Sequence, residues 1–351
     1  METLAIKYRP HTFDDVTEQG SVKTILENQI ESNTIKHGYL FCGGAGTGKT
    51  TCARIFANEI NNGEGGPIEL DAASNNSVDD IRRLTTDAET RSLYSEYKVF
   101  ILDEVHALSN QAWQAMLKTL EEPPAKAIFI FCTTNPEKIP ATILSRVQRY
   151  NFQRISQKGV LERLEYIVDK EGIDCPSIEP LKYIAKIADG GMRDAITLLD
   201  KCTSYSNTIT MNTVVEALGV ADYDTMFALV KALVKDTSGG GEKSVEIINK
   251  VYADGKDIKV FIKDFFEFVL DMNIFSVTRN FDYVKIPNKW EDVLASYFDN
   301  TRTVNDLIDL LNDLVKLNAS IKWEQNAKAV VIADFILFIE SSLREYGKGK
   351  E

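Results

Sequence analysis

The chain has 351 residues, of which 44% are hydrophobic and 26% charged, with only 9 Pro and 20 Gly. This composition excludes a collagen-like or mainly disordered polymer and supplies core material for more than one compact unit. The formal net charge of -12 excludes bulk attraction to a polyanion or an anionic membrane, so any nucleic-acid contact must be local.

The opening METLAIKYRPHTFDD carries no apolar run of signal-peptide length, and no later stretch of 18 or more uncharged apolar residues occurs, which predicts a soluble, unexported, cytoplasmic protein with no membrane partner. Apolar runs at Gly38–Cys42, Ile68–Leu70, Lys98–Leu102 and Ala127–Cys132 read as strands separated by amphipathic helical segments. Strand and helix in alternation predict an α/β domain with a parallel sheet covered on both faces. After about Arg154 the strand signal stops, and helical spacing takes over at Val160–Lys170, Pro180–Ala188, Arg193–Cys202 and Met211–Leu218. A third, helical region contains the Gly-rich break Ser238–Gly241 and the apolar helices Val260–Phe275 and Val330–Leu343. The expected division is 1–154, 155–219 and 220–345, with 346–351 as a frayed tail. The five cysteines are scattered, with no C-x-x-C pair, which argues against a disulfide framework and a four-thiolate zinc site.

Gly43-Gly44-Ala45-Gly46-Thr47-Gly48-Lys49-Thr50 matches G-x-x-x-x-G-K-[ST], and it lies between a predicted strand and a predicted helix, the context the motif requires. Glycines let successive backbone N–H groups curl around phosphate oxygens, and the helix N-terminus adds its partial positive charge. Lys49 would neutralise the β and γ phosphates and the Thr50 hydroxyl would ligate Mg²⁺. Val99–Leu102 then leads into Asp103-Glu104, where Asp103 would hold the Mg²⁺ shell and Glu104 would polarise the attacking water. Parallel strands bring both segments to one edge. Thr133-Thr134-Asn135 follows the next strand and could orient the water, although Thr-Asn-Pro is also ordinary turn chemistry. Arg146 and Arg193 sit near segment boundaries; an isolated arginine of this kind is more often a surface ion-pair partner than a phosphate ligand.

Lys7-Tyr8-Arg9-Pro10, the phosphate loop, Glu69–Ser74, Asp103–Ser109, Leu117–Pro124, Ile143–Arg146 and Gly191–Ala195 together resemble the AAA+ clamp-loader ATPases, and among them the gamma/tau subunits of bacterial DNA polymerase III in their short, gamma-like form. The resemblance runs in order through residues 3–202 and continues more weakly through Gly255–Phe266 and Ile321–Trp323, which look like the family's oligomerising collar. It implies an AAA+ sheet domain, a helical lid and an all-α collar. It also implies a pentameric bacterial or phage machine that uses ATP and Mg²⁺ to open a sliding clamp and place it on primer-template DNA. The cradle would comprise Gly43 to Thr50 with Thr51, and Tyr8, Arg9, Pro10 and Val16 would form the adenine side. Thr134 would act as first sensor, Arg193 as second sensor from the lid, and Arg146 as the finger inserted into a neighbour's site. Asn75, Asn76, Arg82, Lys138 and Thr142 match segments that face the duplex, against which stands the reading of a solvated helix face. Leu93-Tyr94 would plug a pocket on the clamp or else pack beneath its own domain.

The chain departs from the family in three places. Asn61–Pro67 stands where the family carries a four-cysteine zinc module, so no zinc is expected. Val147 follows Ser145-Arg146 where the family has cysteine, and Glu18-Gln19 replaces Gly-Gln. Two rival readings are a helicase, from the D-E-x-H spelling of Asp103–His106, and a non-hydrolysing delta-prime-like loader subunit.

Overall fold

The computed structural model describes residues 2–218, 223–235, 239–287, 290–298 and 301–348. The chain divides into two compact units, Met1–Thr210 and Met211–Glu351.

In the first unit, the five strands β1 (Gly38–Cys42), β2 (Ile68–Asp71), β3 (Lys98–Asp103), β4 (Ala127–Thr133) and β5 (Gln148–Asn151) form one sheet in the order β2-β3-β4-β1-β5, and every pairing is parallel. The four strands expected from the sequence are present. The fifth was not read, because Gln-Arg-Tyr-Asn buries only Tyr150 and gives no apolar run. Successive residues of the central strands alternate between two cores: Val99, Ile101, Ile128 and Ile130 enter one with Phe41 and Phe56. Phe100, Leu102, Phe129 and Phe131 enter the other with Trp113 and Met116. Because both faces are buried, period-two alternation of polarity is absent and the strands read as continuous apolar runs.

The helices of this unit are α1 (Leu4–Lys7), α2 (Gly20–Glu31), α3 (Lys49–Glu59), α4 (Val78–Ala88), α5 (Asn110–Glu121), α6 (Ala141–Leu144), α7 (Gln157–Glu171), α8 (Glu179–Ile187) and α9 (Met192–Tyr205). Ser77, Ser109 and Ser156 start α4, α5 and α7 as N-caps, each accepting a backbone N–H three residues on and so satisfying a donor that the helix leaves unpaired.

The second unit is helical: α10 (Met211–Leu218), α11 (Tyr223–Val230) leading into a π-helical turn at Lys231–Lys235, α12 (Gly240–Ala253), α13 (Ile258–Thr278), α14 (Glu291–Ala295), α15 (Thr301–Ile321) and α16 (Ala327–Lys348). Phe261, Phe265, Phe268 and Met272 of α13 share one core with Leu310, Leu314, Phe335 and Phe338. The Gly-rich segment lies between the π-helical turn ending at Lys235 and α12, as the sequence expected. Ser238 lies outside the described residues, Gly239 is a turn, and Gly240 and Gly241 open α12. Gly240 is required by close approach, since a Cβ there would stand 2.0 Å from the Ala232 carbonyl oxygen. α16 continues to Lys348, so Gly347 and Lys348, expected in a frayed tail, are helical. Among the described residues no helix is long and apolar enough to cross a membrane.

Candidate nucleotide-binding site

The phosphate loop leaves β1 after Cys42 and is fastened on both sides. Gly43 N–H donates to the Thr133 carbonyl at 3.2 Å, and Phe152 N–H donates to the Cys42 carbonyl at 2.7 Å. A Cβ on Gly43 would stand 2.5 Å from the Phe152 carbonyl oxygen, and Gly46 holds φ 68 with Gly191 of the lid against it. The glycines are therefore set by close approach and left-handed backbone. The Gly46 carbonyl accepts the Met192 N–H at 3.0 Å, which ties the loop to the start of α9.

Lys49 opens α3 and is 6% exposed. Its ammonium donates to the carbonyls of Gly43 at 2.9 Å and Gly44 at 2.7 Å, and burial lowers its pKa. Such a desolvated charge, paired only to neutral oxygens in these bonds, gains strongly from a nearby anion. The Thr50 hydroxyl donates to Asp103 Oδ2 at 2.6 Å, so the two proposed Mg²⁺ ligands already touch. Asp103 Oδ1 accepts the Glu104 N–H at 2.9 Å. Glu104 has φ 49, and its Oε2 accepts the Thr134 hydroxyl at 3.1 Å and lies 3.2 Å from His106 Nδ1. His106 Nδ1 is also 3.3 Å from the Thr133 hydroxyl.

A cavity of about 500 Å³ opens in front of these groups. Its walls come from three places: Tyr8, Arg9, Pro10 and Val16 of the N-terminal segment; Ala45 to Thr51 with Asp103 and Glu104 of the sheet edge; and Arg163 and Arg193 of the lid helices. Arg54, on the same face of α3 as Thr50, joins the lining. The Arg9 guanidinium is pushed below its usual pKa, first by burial and then by Arg54 and Arg193. These guanidiniums repel one another, as expected of a receptor for a polyanion. Arg54 pairs with Glu69 at 2.5 Å, and its Nε is buried without a partner among the described residues. Arg163 donates to the Tyr8 carbonyl at 3.0 Å. The Tyr8 hydroxyl donates to Glu171, and burial followed by that carboxylate raises its pKa to about 12.

Arg54 and Arg163 were not anticipated. The i, i+4 spacing from Thr50 to Arg54 would have exposed the first, whereas Arg163 reaches the cavity only through the placing of α7. His106 was read only as part of a D-E-x-H spelling, and its contact with Glu104 was missed.

The remaining candidates lie elsewhere. Arg146 is not in the cavity lining; it pairs with Glu121 at 2.6 Å and donates to the Thr142 carbonyl at 2.7 Å. Asn75 and Asn76 precede α4 instead of starting it, and Asn75 folds back onto the Asp71 carbonyl at 3.0 Å. Arg82 is exposed on α4, with Asp79 3.5 Å away. Lys138 ends a short 3-10 turn and Thr142 lies in α6, both exposed. Leu93 and Tyr94 are 89% and 77% exposed, which removes the alternative that they pack beneath their own domain. In the segment Asn61–Pro67, the Asn61 side chain pairs with both the N–H and the carbonyl of Tyr97. Among the described residues no group of three or more His, Cys, Asp or Glu is arranged to hold a metal ion.

Residues 66–156 match the family model "DNA polymerase III, delta subunit", and residues 159–208 match "DNA polymerase III clamp loader subunit, ATPase lid domain". The chain is 35% identical over 344 residues to DNA polymerase III subunit tau of Bacillus subtilis, covering 92% of this chain and 60% of that protein. It is 31% identical over 321 residues to subunit gamma of Buchnera aphidicola subsp. Acyrthosiphon pisum, covering 85% and 86%. It thus spans three-fifths or less of the tau relatives it matches and most of the gamma relative. RuvB of Thermotoga maritima superposes with a TM-score of 0.51 at 18% identity, covering 71% of this chain and 86% of that one; at that identity it establishes the AAA+ fold and nothing finer. With its phosphate-loop cavity and lid, this chain belongs to the family of DNA polymerase III gamma and tau subunits.

Proposed function

We propose that the protein is an ATP-hydrolysing subunit of a sliding-clamp loader, which uses ATP binding and hydrolysis to open the clamp and set it on primed DNA during replication. The observation that carries this reading is the convergence of buried Lys49, the Thr50–Asp103 pair, Glu104 and the lid's Arg193 around one cavity.

Each group has a derivable task. The loop N–H groups and the α3 N-terminus bind the β and γ phosphates, and Lys49 moves its donors from loop carbonyls to phosphate oxygens. Arg9, Arg54 and Arg193 neutralise the remaining charge, which removes their mutual repulsion. The hydroxyl of Thr50 and the carboxylate of Asp103 are hard oxygen ligands suited to Mg²⁺, a cation that keeps several waters and takes few protein ligands. Bound there, Mg²⁺ would supply charge neutralisation at the phosphates. Glu104 accepts a proton from the attacking water, and Thr134 and His106 hold its carboxylate until substrate arrives. Arg146 serves the site of a neighbouring subunit, where a guanidinium at the transferring phosphoryl group makes hydrolysis depend on correct docking. Zinc has no part in this scheme.

In this reading, residues 1–154 bind nucleotide, 155–219 form the lid, 220–345 form the collar of a pentamer, and 346–351 are a tail. Asn75, Asn76, Arg82, Lys138 and Thr142 track the primer-template duplex, Leu93 and Tyr94 enter the clamp, and the machine works in a bacterial or phage-infected cytoplasm. The match of residues 66–156 to a delta-subunit model keeps one second reading, a non-hydrolysing structural subunit, while the intact Lys49, Thr50, Asp103 and Glu104 favour hydrolysis. ATP turnover measured with and without primed DNA and clamp decides between them: stimulation by both is expected, and absence of any turnover in the complete assembly would reject the proposal.

A further inference from the structure

The first lid helix, α7, carries only half of its own cap. Ser156 accepts the Gly159 N–H through its hydroxyl at 3.0 Å. The third helical position, from which a glutamate ordinarily reaches back to the N-cap amide, is Gly159. The missing carboxylate is delivered from the N-terminal segment, 138 residues away in sequence. Glu18 accepts the Ser156 N–H at 3.1 Å and 3.3 Å through its two oxygens, and it also accepts the Ser156 hydroxyl. Gly159 makes room for it, since a Cβ there would stand 2.6 Å from Glu18 Oε1. The helix dipole adds a favourable field for a carboxylate at this end.

Glu18 and Gln19 hold φ of 58 and 53, a left-handed conformation that non-glycine residues adopt only when their surroundings impose it. Gln19 is buried, and its side-chain amide clasps the Gln153 backbone both ways: Nε2 donates to the carbonyl at 2.7 Å, and Oε1 accepts the N–H at 3.1 Å. The same Nε2 lies 3.4 Å from the Thr47 carbonyl in the phosphate loop. Two adjacent residues therefore touch the phosphate loop, the connection into the lid and the first lid helix. The lid is tied to the nucleotide domain further by the bond from Met192 N–H to the Gly46 carbonyl, by Arg163 to the Tyr8 carbonyl and the Tyr8 hydroxyl to Glu171, and by the pairs Lys7–Glu171 and Arg154–Asp189, so the Glu18 contact is one tie among several.

We infer that Glu18 is a positioning residue: by completing the α7 cap from the N-terminal segment it helps latch the lid to the nucleotide domain and thereby sets where Arg193 meets the nucleotide. This rests on the nucleotide reading above. Glu18 is exposed, so the latch is adjustable and its effect modest.

The test is equilibrium binding of a fluorescent ATP analogue to the full chain. Glu18→Ala weakens binding about two- to fivefold, the loss expected when one cap shifts the fraction of docked lid. Glu18→Gln, which keeps an acceptor oxygen, recovers most of it. In an Arg193→Ala background Glu18→Ala has no further effect, because both act through the same group. Adding Gly159→Glu to Glu18→Ala rebuilds a cap within α7 but not the tie to the N-terminal segment, so affinity stays low. Unchanged affinity in Glu18→Ala, independent effects with Arg193→Ala, or full recovery with Gly159→Glu would each overturn the latch. A wild-type chain that binds no analogue removes the nucleotide reading instead. The latch is then judged by hydrogen exchange at the Ser156 amide, which quickens in Glu18→Ala if it exists and is unchanged if it does not.

Discussion

The nucleotide cavity and the surfaces assigned to DNA and neighbouring subunits use the same kinds of side chain, yet they are held in different ways. In the cavity, Thr50 is joined to Asp103 and Thr134 to Glu104 by hydrogen bonds between separate strand and helix ends, while the buried Lys49 is held by the carbonyls of its own loop. On the outer surfaces, the bonds of Asn75 and Arg82 are local, to Asp71 and Asp79, and Lys138 is exposed. A small polyanion needs its donors converging before it arrives, because each misplaced group is reorganised at its expense. A duplex or a neighbouring subunit engages through many weak, solvated contacts, so each residue can remain loosely held until assembly.

The sharpest break of that comparison is Arg146, which pairs with Glu121 on the surface and is assigned to a site it does not line. Arg146→Ala is expected to slow hydrolysis at the neighbouring site by about 10³-fold or more while its own subunit binds ATP normally; turnover of mixed assemblies checks this, and wild-type rates would return Arg146 to an ordinary surface pair. Lys49→Ala should lower ATP turnover by about 10²- to 10³-fold in the subunit that carries it, and equilibrium binding should weaken with it. Arg54→Ala removes one guanidinium of the cavity and is expected to weaken ATP binding about tenfold, the usual worth of a charge-assisted bond; an affinity equal to wild type would show that its Glu69 pair is its whole role. The smallest effect belongs to Arg82→Ala, which should reduce the salt dependence of DNA binding by the assembled complex by about one unit of slope. A change in ATP affinity instead would place α4 with the cavity.

The phosphate loop and the Asp103-Glu104 strand end were legible because their chemistry is written in contiguous residues whose strand and helix context follows from local periodicity. The apolar runs of β1, β3 and β4 were legible for the related reason that a strand buried on both faces cannot hide its composition, and β2, an exposed edge strand, was legible only from its short Ile-Glu-Leu alternation. β5 was not, since an edge strand with one buried tyrosine carries no such constraint. Arg163 was invisible because nothing near it in sequence relates it to Tyr8, 155 residues away. The Glu18 departure from glycine could be seen, but not its meaning, which requires Ser156 and the side-chain-free Gly159 to be brought beside it.

Local order in this chain thus decides which backbone curls around phosphate, which carboxylates end a strand and which segments are helical, because these depend on side-chain volume, glycine freedom and hydrogen-bond spacing within a few residues. Only the folded arrangement decides that Arg9, Arg54 and Arg193 crowd one cavity and that Thr134 and His106 hold Glu104. It alone also lets a glutamate from the N-terminal segment cap a lid helix. These are distances between charges and donors that folding sets, in the arginine cluster and the Glu18–Ser156 contact across well over a hundred residues, and Coulombic and hydrogen-bond energies depend on separation in space, not on position in sequence.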